Sequence, residues 1–127
     1  MANKSKRIVI TGIGPLSSIG FGKIMWQSII NGETGLTKES FSIGGEKLDD
    51  FFYHKIRHFS IDDFGIDKNI LNDIRIWKKQ DNPLDLFYLL AVVKLALDDA
   101  KIDYRDTDKT KGLGLVLTHE NPGLDQF

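Results

Sequence analysis

Arg7-Ile8-Val9-Ile10-Thr11-Gly12-Ile13-Gly14-Pro15-Leu16-Ser17-Ser18-Ile19-Gly20 is the stretch on which the fold turns. Its opening is short, β-branched and stopped by glycine, which predicts a buried strand over 7–12. A turn-rich loop follows from Gly14 to Gly20. Gly22 to Asn31 then predicts a helix, with Met25, Ile29 and Gly32 at helical spacing and Trp26 and Ile30 on adjacent rows. Asn31-Gly32 is a suitable stop, because both residues tolerate the left-handed conformation that ends helices.

Further along, Pro83 to Ala100 gives the strongest helical pattern. Asn82 is placed to cap it, Pro83 suits its first position, and Asp85 sits in the first turn, where the helix dipole favours negative charge. Between Leu86 and Leu97 only Lys94 is charged, so this helix needs neighbours on more than one side. A polar link, Lys101 to Lys111, leads to Gly112-Leu113-Gly114-Leu115-Val116-Leu117-Thr118, a second predicted buried strand. Residues 33–80 are less regular. A short strand is expected over Tyr53–Phe59. A helix is expected over Asp67–Lys79, with Ile70, Ile74 and Trp77 on one stripe and Asp67 as its cap. Phe41, Phe51, Phe52, Phe59 and Phe64 are expected to form local core or an interface, the alternative being the lining of an acyl or partner groove.

The order is therefore strand, helix, irregular insertion at about 37–82, helix, strand: an α/β pattern. Two strands joined by a helical crossover should be parallel and right-handed. Parallel sheets need both faces covered, and two strands are few for one. The chain reads as an unfinished α/β layer whose exposed edge and open sheet face should drive self-association or partial disorder.

Composition narrows the possibilities. Of 127 residues 41% are hydrophobic and 28% charged, enough for a core. Lys and Arg total 17 against 18 Asp and Glu, a net charge of -1 without the clustered basic footprint of a nucleic-acid binder. The polar start and the short Ile8-Val9-Ile10 run do not make a signal peptide. The longest apolar run, Leu86 to Val93, is far below the roughly 18 residues that span a bilayer. With no cysteine, this chain has no disulfide, no cysteine metal ligand and no thiolate nucleophile. A cytoplasmic location is the simplest expectation.

Several groups invite a chemical role. A strand running into Gly12-Ile13-Gly14 also begins dinucleotide-binding folds, where glycines let backbone approach a pyrophosphate. Here Ser17 stands where the third glycine of that pattern belongs, and Pro15 removes a backbone donor. His54 and His58 are four apart, as metal ligands can be, but no third ligand is recognisable and Lys55 and Arg57 flank them. His119-Glu120 follows the second predicted strand, where α/β sites often lie. Asp49-Asp50, Asp62-Asp63 and Asp98-Asp99 are adjacent pairs, so their side chains point differently and do not read as an acid/base dyad.

The opening segment closely resembles that of β-ketoacyl synthases of the thiolase-like superfamily. The motifs are Ile8-Val9-Ile10-Thr11-Gly12-Ile13-Gly14, then Leu16-Ser17-Ser18-Ile19-Gly20, Trp26, and Asn31-Gly32-Glu33-Thr34-Gly35-Leu36. Ala91, Ala96-Leu97 and Asp99-Ala100 resemble the family's Ala-rich helix ending in Ala-Leu-x-Asp-Ala. Gly112-Leu113-Gly114-Leu115-Val116 resembles its second strand. The chain departs from the family over Thr37–Gln80 and at Thr118-His119-Glu120-Asn121-Pro122-Gly123, where the family has a glycine-rich turn.

The resemblance implies that residues 1–127 are the N-terminal fragment of a ketosynthase domain with a partial thiolase-like fold. It implies a dimeric parent enzyme that condenses a cysteine-held acyl group with malonyl on acyl carrier protein, in fatty-acid or polyketide assembly. The family's cysteine and two histidines lie downstream of the matched region. No catalytic, cofactor-binding or metal residue is thus assigned here, and neither nucleic acid nor membrane is expected as a partner. A non-catalytic ketosynthase-like structural or interaction module and a small dinucleotide-binding domain are the other readings.

Overall fold

The glycine pair Gly44-Gly45 makes the longest regular β structure among the described residues. Both adopt positive φ, 60° and 89°, as a two-residue hairpin turn requires. They join β3 (Leu36–Ile43) to β4 (Glu46–His54) in an antiparallel pair running from Leu36↔His54 to Ile43↔Glu46, with a register shift between Glu39 and Phe41. The structure is a computed structural model and describes residues 7–118. A smaller antiparallel pair, β1 (Leu16–Ser17) with β2 (Gly20–Phe21), precedes α1 (Gly22–Ile30). After the hairpin come a single 3₁₀ turn (Ile61–Phe64), α2 (Lys68–Lys78), α3 (Leu84–Asp99) and the short α4 (Thr107–Thr110). The described residues thus form an α/β structure with two small sheets and four helices.

The helices follow the sequence closely. Asp67 caps α2 by accepting a bond from the Asn69 N–H at 2.7 Å, while its own N–H donates to the Tyr104 hydroxyl. Lys79 ends that helix in the left-handed conformation. α1 ends at Asn31, and Gly32 with φ 68° lets the Glu33 N–H return to the Ser28 carbonyl. At α3 the expected cap is displaced. Pro83 occupies the N-cap position and is fully buried, and no side chain caps the end.

The core forms where α3 meets the 3₁₀ turn. Phe87 and Ala91 on α3 are fully buried with Leu71 of α2, and Ile61 and Phe64 close the cluster. Phe21 and Phe59 stack around Phe64 at ring distances of 5.1 and 5.5 Å, and Tyr88 meets Phe59 edge-on at 4.6 Å. Arg75 lies over the Phe87 ring, and Lys78 pairs with Asp85 at 3.2 Å to tie α2 to α3. Burial pushes the Asp85 carboxyl up, but hydrogen bonds from the Leu86 N–H and from Lys78 outweigh it, so its pKa is lowered. Of the insertion's aromatics, Phe59 and Phe64 supply core, whereas Phe41, Phe51 and Phe52 stay exposed on the hairpin.

The sheet expectations need correction. Residues 7–12 and 112–118 are not strands, and no parallel pairing exists among the described residues. Ile8 is 98% exposed and Val116 90% exposed. A parallel pair needs further strands and two covered faces to be favourable, and neither surrounds these segments here. The region read as an irregular insertion carries the hairpin instead. The strand expected over Tyr53–Phe59 ends at His54, and Phe59 turns into the core. The local hairpin wins because its turn closes over two residues, whereas the crossover must bring segments about a hundred residues apart together.

The two apolar, charge-poor segments leave main-chain donors and acceptors open. Sedimentation velocity on the purified chain should therefore show reversible association that rises with concentration. Val116→Lys should weaken it. A monomer independent of concentration, with cooperative unfolding, would contradict this reading.

Candidate functional site

The Gly12-Ile13-Gly14 turn lies directly on the C-terminal half of α3. A Cβ placed on Gly12 would stand 2.7 Å from the Ala100 nitrogen and nearer still to the Ala96 carbonyl oxygen. One on Gly14 would stand 2.7 Å from the Ala96 nitrogen and nearer to the Val92 carbonyl oxygen. Val92, Ala96 and Ala100 follow at helical spacing, so the segment runs along α3 in the opposite direction, backbone against backbone. Between the glycines, the Ile13 N–H donates to Asp99 Oδ2 at 3.0 Å. Only glycine permits this approach, because any Cβ would meet main-chain atoms.

The same economy of volume recurs at Gly35, where a Cβ would meet the Ser18 side chain and backbone. Ser17 and Ser18 belong to the β1–β2 turn, and the Ser17 hydroxyl donates to the Gly20 carbonyl. Thr37, buried just beyond Gly35, donates to the Gly35 carbonyl and accepts from Arg57 at 3.2 Å. The glycine-and-serine motif of the sequence is therefore a set of contacts made within the chain. Gly12 and Gly14 are occupied by α3, which removes the backbone surface a pyrophosphate would use.

A surface cavity of about 550 Å³ adjoins the turn. Ile13, Pro15 and Leu95 form its apolar side, Trp26 stands 65% exposed at it, and Lys23 and Lys101 bring ammonium groups. The adjacent acids divide their work: Asp98 accepts from Lys94 at 2.5 Å, and Asp99 holds Ile13. Neither is free to act with the other as an acid/base pair, as the sequence suggests. The cavity lining holds no serine, threonine or cysteine, and its chemistry is that of charge and an aromatic surface.

The other sequence candidates do not converge. His54 ends β4, where its Nδ1 lies 3.4 Å from the Ser18 hydroxyl, and His58 stands past the strand with φ 54°. They share no element. Among the described residues no three His, Asp or Glu side chains are grouped to hold a metal ion. Asp49 pairs with Lys47 at the hairpin surface, and Asp62 and Asp63 sit in the first turn of the 3₁₀ segment. His119, Glu120 and the turn through Gly123 lie outside the described residues. Among the described residues no helix is long and apolar enough to cross a membrane. What sequence reasoning missed is the bond from Ile13 to Asp99. Its signal was present, since the Gly-x-Gly turn and the Ala-Leu-x-Asp-Ala run are two motifs of one pattern.

Comparison with known proteins bears on that pattern. The chain is 30% identical over 128 residues to the 3-oxoacyl-[acyl-carrier-protein] synthase 2 of Staphylococcus aureus strain N315, and equally to that of strain Mu50. It is 29% identical over the same length to the enzyme of strain COL. Each match takes in 98% of this chain and 28% of the relative, so the chain spans little more than a quarter of the curated relatives it matches. No protein-family model and no solved structure matches the chain. The resemblance to a β-ketoacyl synthase, read first from the motifs, is borne out by these relatives along nearly the whole chain.

Gly14→Ala should destabilise the fold by about 2 kcal/mol, because the added methyl meets helix backbone that cannot yield. Gly112→Ala, with nothing within 4 Å, should change stability by only a few tenths. Urea unfolding of both variants checks the contrast. Equal stabilities would show that the turn does not rest on α3.

Proposed function

We propose, from the resemblance to β-ketoacyl synthases, that this chain is the N-terminal scaffold of such an enzyme. In that reading residues 1–127 are one fragment of a ketosynthase domain of thiolase-like fold, with the hairpin region at about 37–82 as its cap. The observation that carries it is the meeting of Gly12-Ile13-Gly14 with Ala96, Asp99 and Ala100, since two family motifs 86 residues apart in sequence are joined by one hydrogen bond. The exposed segments 7–12 and 112–118 then belong to a sheet that the rest of the domain completes.

The parent's chemistry needs a thiolate to take an acyl group from its thioester. It then needs donors for the negative charge that develops as malonyl loses carbon dioxide and its carbanion attacks the acyl carbon. This chain has no cysteine and cannot form the acyl-enzyme. Its part is to position. Acyl carrier protein would be the parent's partner, a homodimer its assembly and the cytoplasm its place, in fatty-acid or polyketide synthesis. A non-catalytic ketosynthase-like module keeps the same packing and differs only in lacking the nucleophile elsewhere.

Two measurements test this reading. The purified chain, given acyl and malonyl carrier proteins, should release no 3-oxoacyl product. Carbon–carbon bond formation by it would refute the scaffold role. A chimera in which this chain replaces the matched 128 residues of the Staphylococcus aureus enzyme should condense, at reduced rate. The same chimera bearing Gly14→Ala should lose that activity. A soluble but inactive chimera would favour the non-catalytic module.

A further inference from the structure

A second hollow, of about 530 Å³, lies between the end of β4 and the start of α3, away from the glycine turn. Lys55, Arg57 and His58 line it from the segment after β4, and Asn82 and Tyr88 face it from the α3 side. Against these donors stands one lining carboxylate, Glu39, which already accepts from the Tyr53 hydroxyl and lies 3.9 Å from Lys55. Arg57 reaches only the buried Thr37 hydroxyl, and among the described residues no carboxylate comes within ion-pairing distance of it. The hollow therefore carries uncompensated positive charge on residues with spare hydrogen-bond donors.

A left-handed turn shapes this arrangement. His58 has φ 54°, a conformation uncommon for a residue with a side chain. That turn carries Phe59 inward, edge-on to Tyr88 at 4.6 Å, and leaves the basic side chains outside it. Phe59, Tyr88 and Leu84 thus give the hollow an apolar floor beside its charged rim. Burial raises the Tyr88 pKa, and its hydroxyl is a donor at this wall of the hollow. The hollow is open, so a ligand there would be held by its charged rim and by contact with the aromatic floor.

We propose that this hollow binds a small phosphate monoester, its oxyanion on Lys55 and Arg57 and its apolar remainder against Phe59, Tyr88 and Leu84. The observation that carries the condensing-enzyme reading, at Gly12, Gly14 and Asp99, involves none of the residues lining this hollow, so the two are tested separately. Nuclear magnetic resonance titration of the whole chain with phenyl phosphate and with inorganic phosphate tests it. Phenyl phosphate should give saturable shifts at Arg57 and His58 and bind at least about fivefold more tightly than inorganic phosphate. Arg57→Gln should weaken it about tenfold, the loss expected for one charge-assisted hydrogen bond. Lys23→Gln, in the other cavity, should bind normally. Lys55 is half exposed, so Lys55→Gln carries the test if Arg57→Gln unfolds. Shifts that never saturate, equal affinity for the two anions, or normal binding by Lys55→Gln would each overturn the proposal. Tighter binding of an octaglutamate peptide would overturn it in favour of an acidic protein surface.

Discussion

The structure depends on one close approach, the laying of Gly12-Ile13-Gly14 on the main chain of α3. Hydrogen side chains at both glycines and methyls at Ala96 and Ala100 let two backbones touch where most residues would hold them apart. Asp99 fixes the register by taking the Ile13 N–H. The consequence reaches further than the contact. With the turn pinned to α3, the chain emerges at Pro15 beside the core, β1 and β2 pair there, and Phe21 enters the cluster around Phe64. α1 then starts at Gly22, and the Ser18 turn receives Gly35.

A second constraint is the apolar surface left over. The buried cluster holds five residues, Ile61, Phe64, Leu71, Phe87 and Ala91, against a long series of exposed Ile, Leu, Val and aromatic side chains. α3 shows the imbalance best. One side meets the 3₁₀ turn and another the glycine turn, while Leu90, Val93 and Leu97 line a shallow apolar groove with Ile66 and Ile70. A helix so apolar around its circumference is built for a fuller environment. That agrees with a chain spanning 28% of its relatives' length.

The hairpin is the largest β structure among the described residues. β3 and β4 carry their aromatic residues close together, and Phe41 sits between Phe51 and Tyr53 at 5.7 and 5.6 Å. Its salt bridges, Lys38–Asp50 and Lys47–Asp49, are solvent-exposed and add little stability. The hairpin owes its form to cross-strand pairing and to the glycine turn. The signal was legible at Ile43-Gly44-Gly45-Glu46. The scattered phenylalanines break strict alternation and the register shifts at the hairpin's middle, which hides a period-two pattern on either side of that turn.

The sequence by itself determined what depends on neighbours a few residues apart. α2 with its Asp67 cap, α1 with its Gly32 stop, and α3 to within a residue at either end were legible, because capping and helical periodicity are local. So was the likeness to β-ketoacyl synthases and the lack of a thiolate, which are matters of residue identity. Tertiary structure alone decided whether apolar β-branched segments become strands, because a strand exists only with a partner, and 7–12 and 112–118 find none among the described residues. It also decided what the first glycines do. Gly12 and Gly14 could serve a phosphate or a packed helix equally well in one dimension, and the helix lies where a phosphate would have to be.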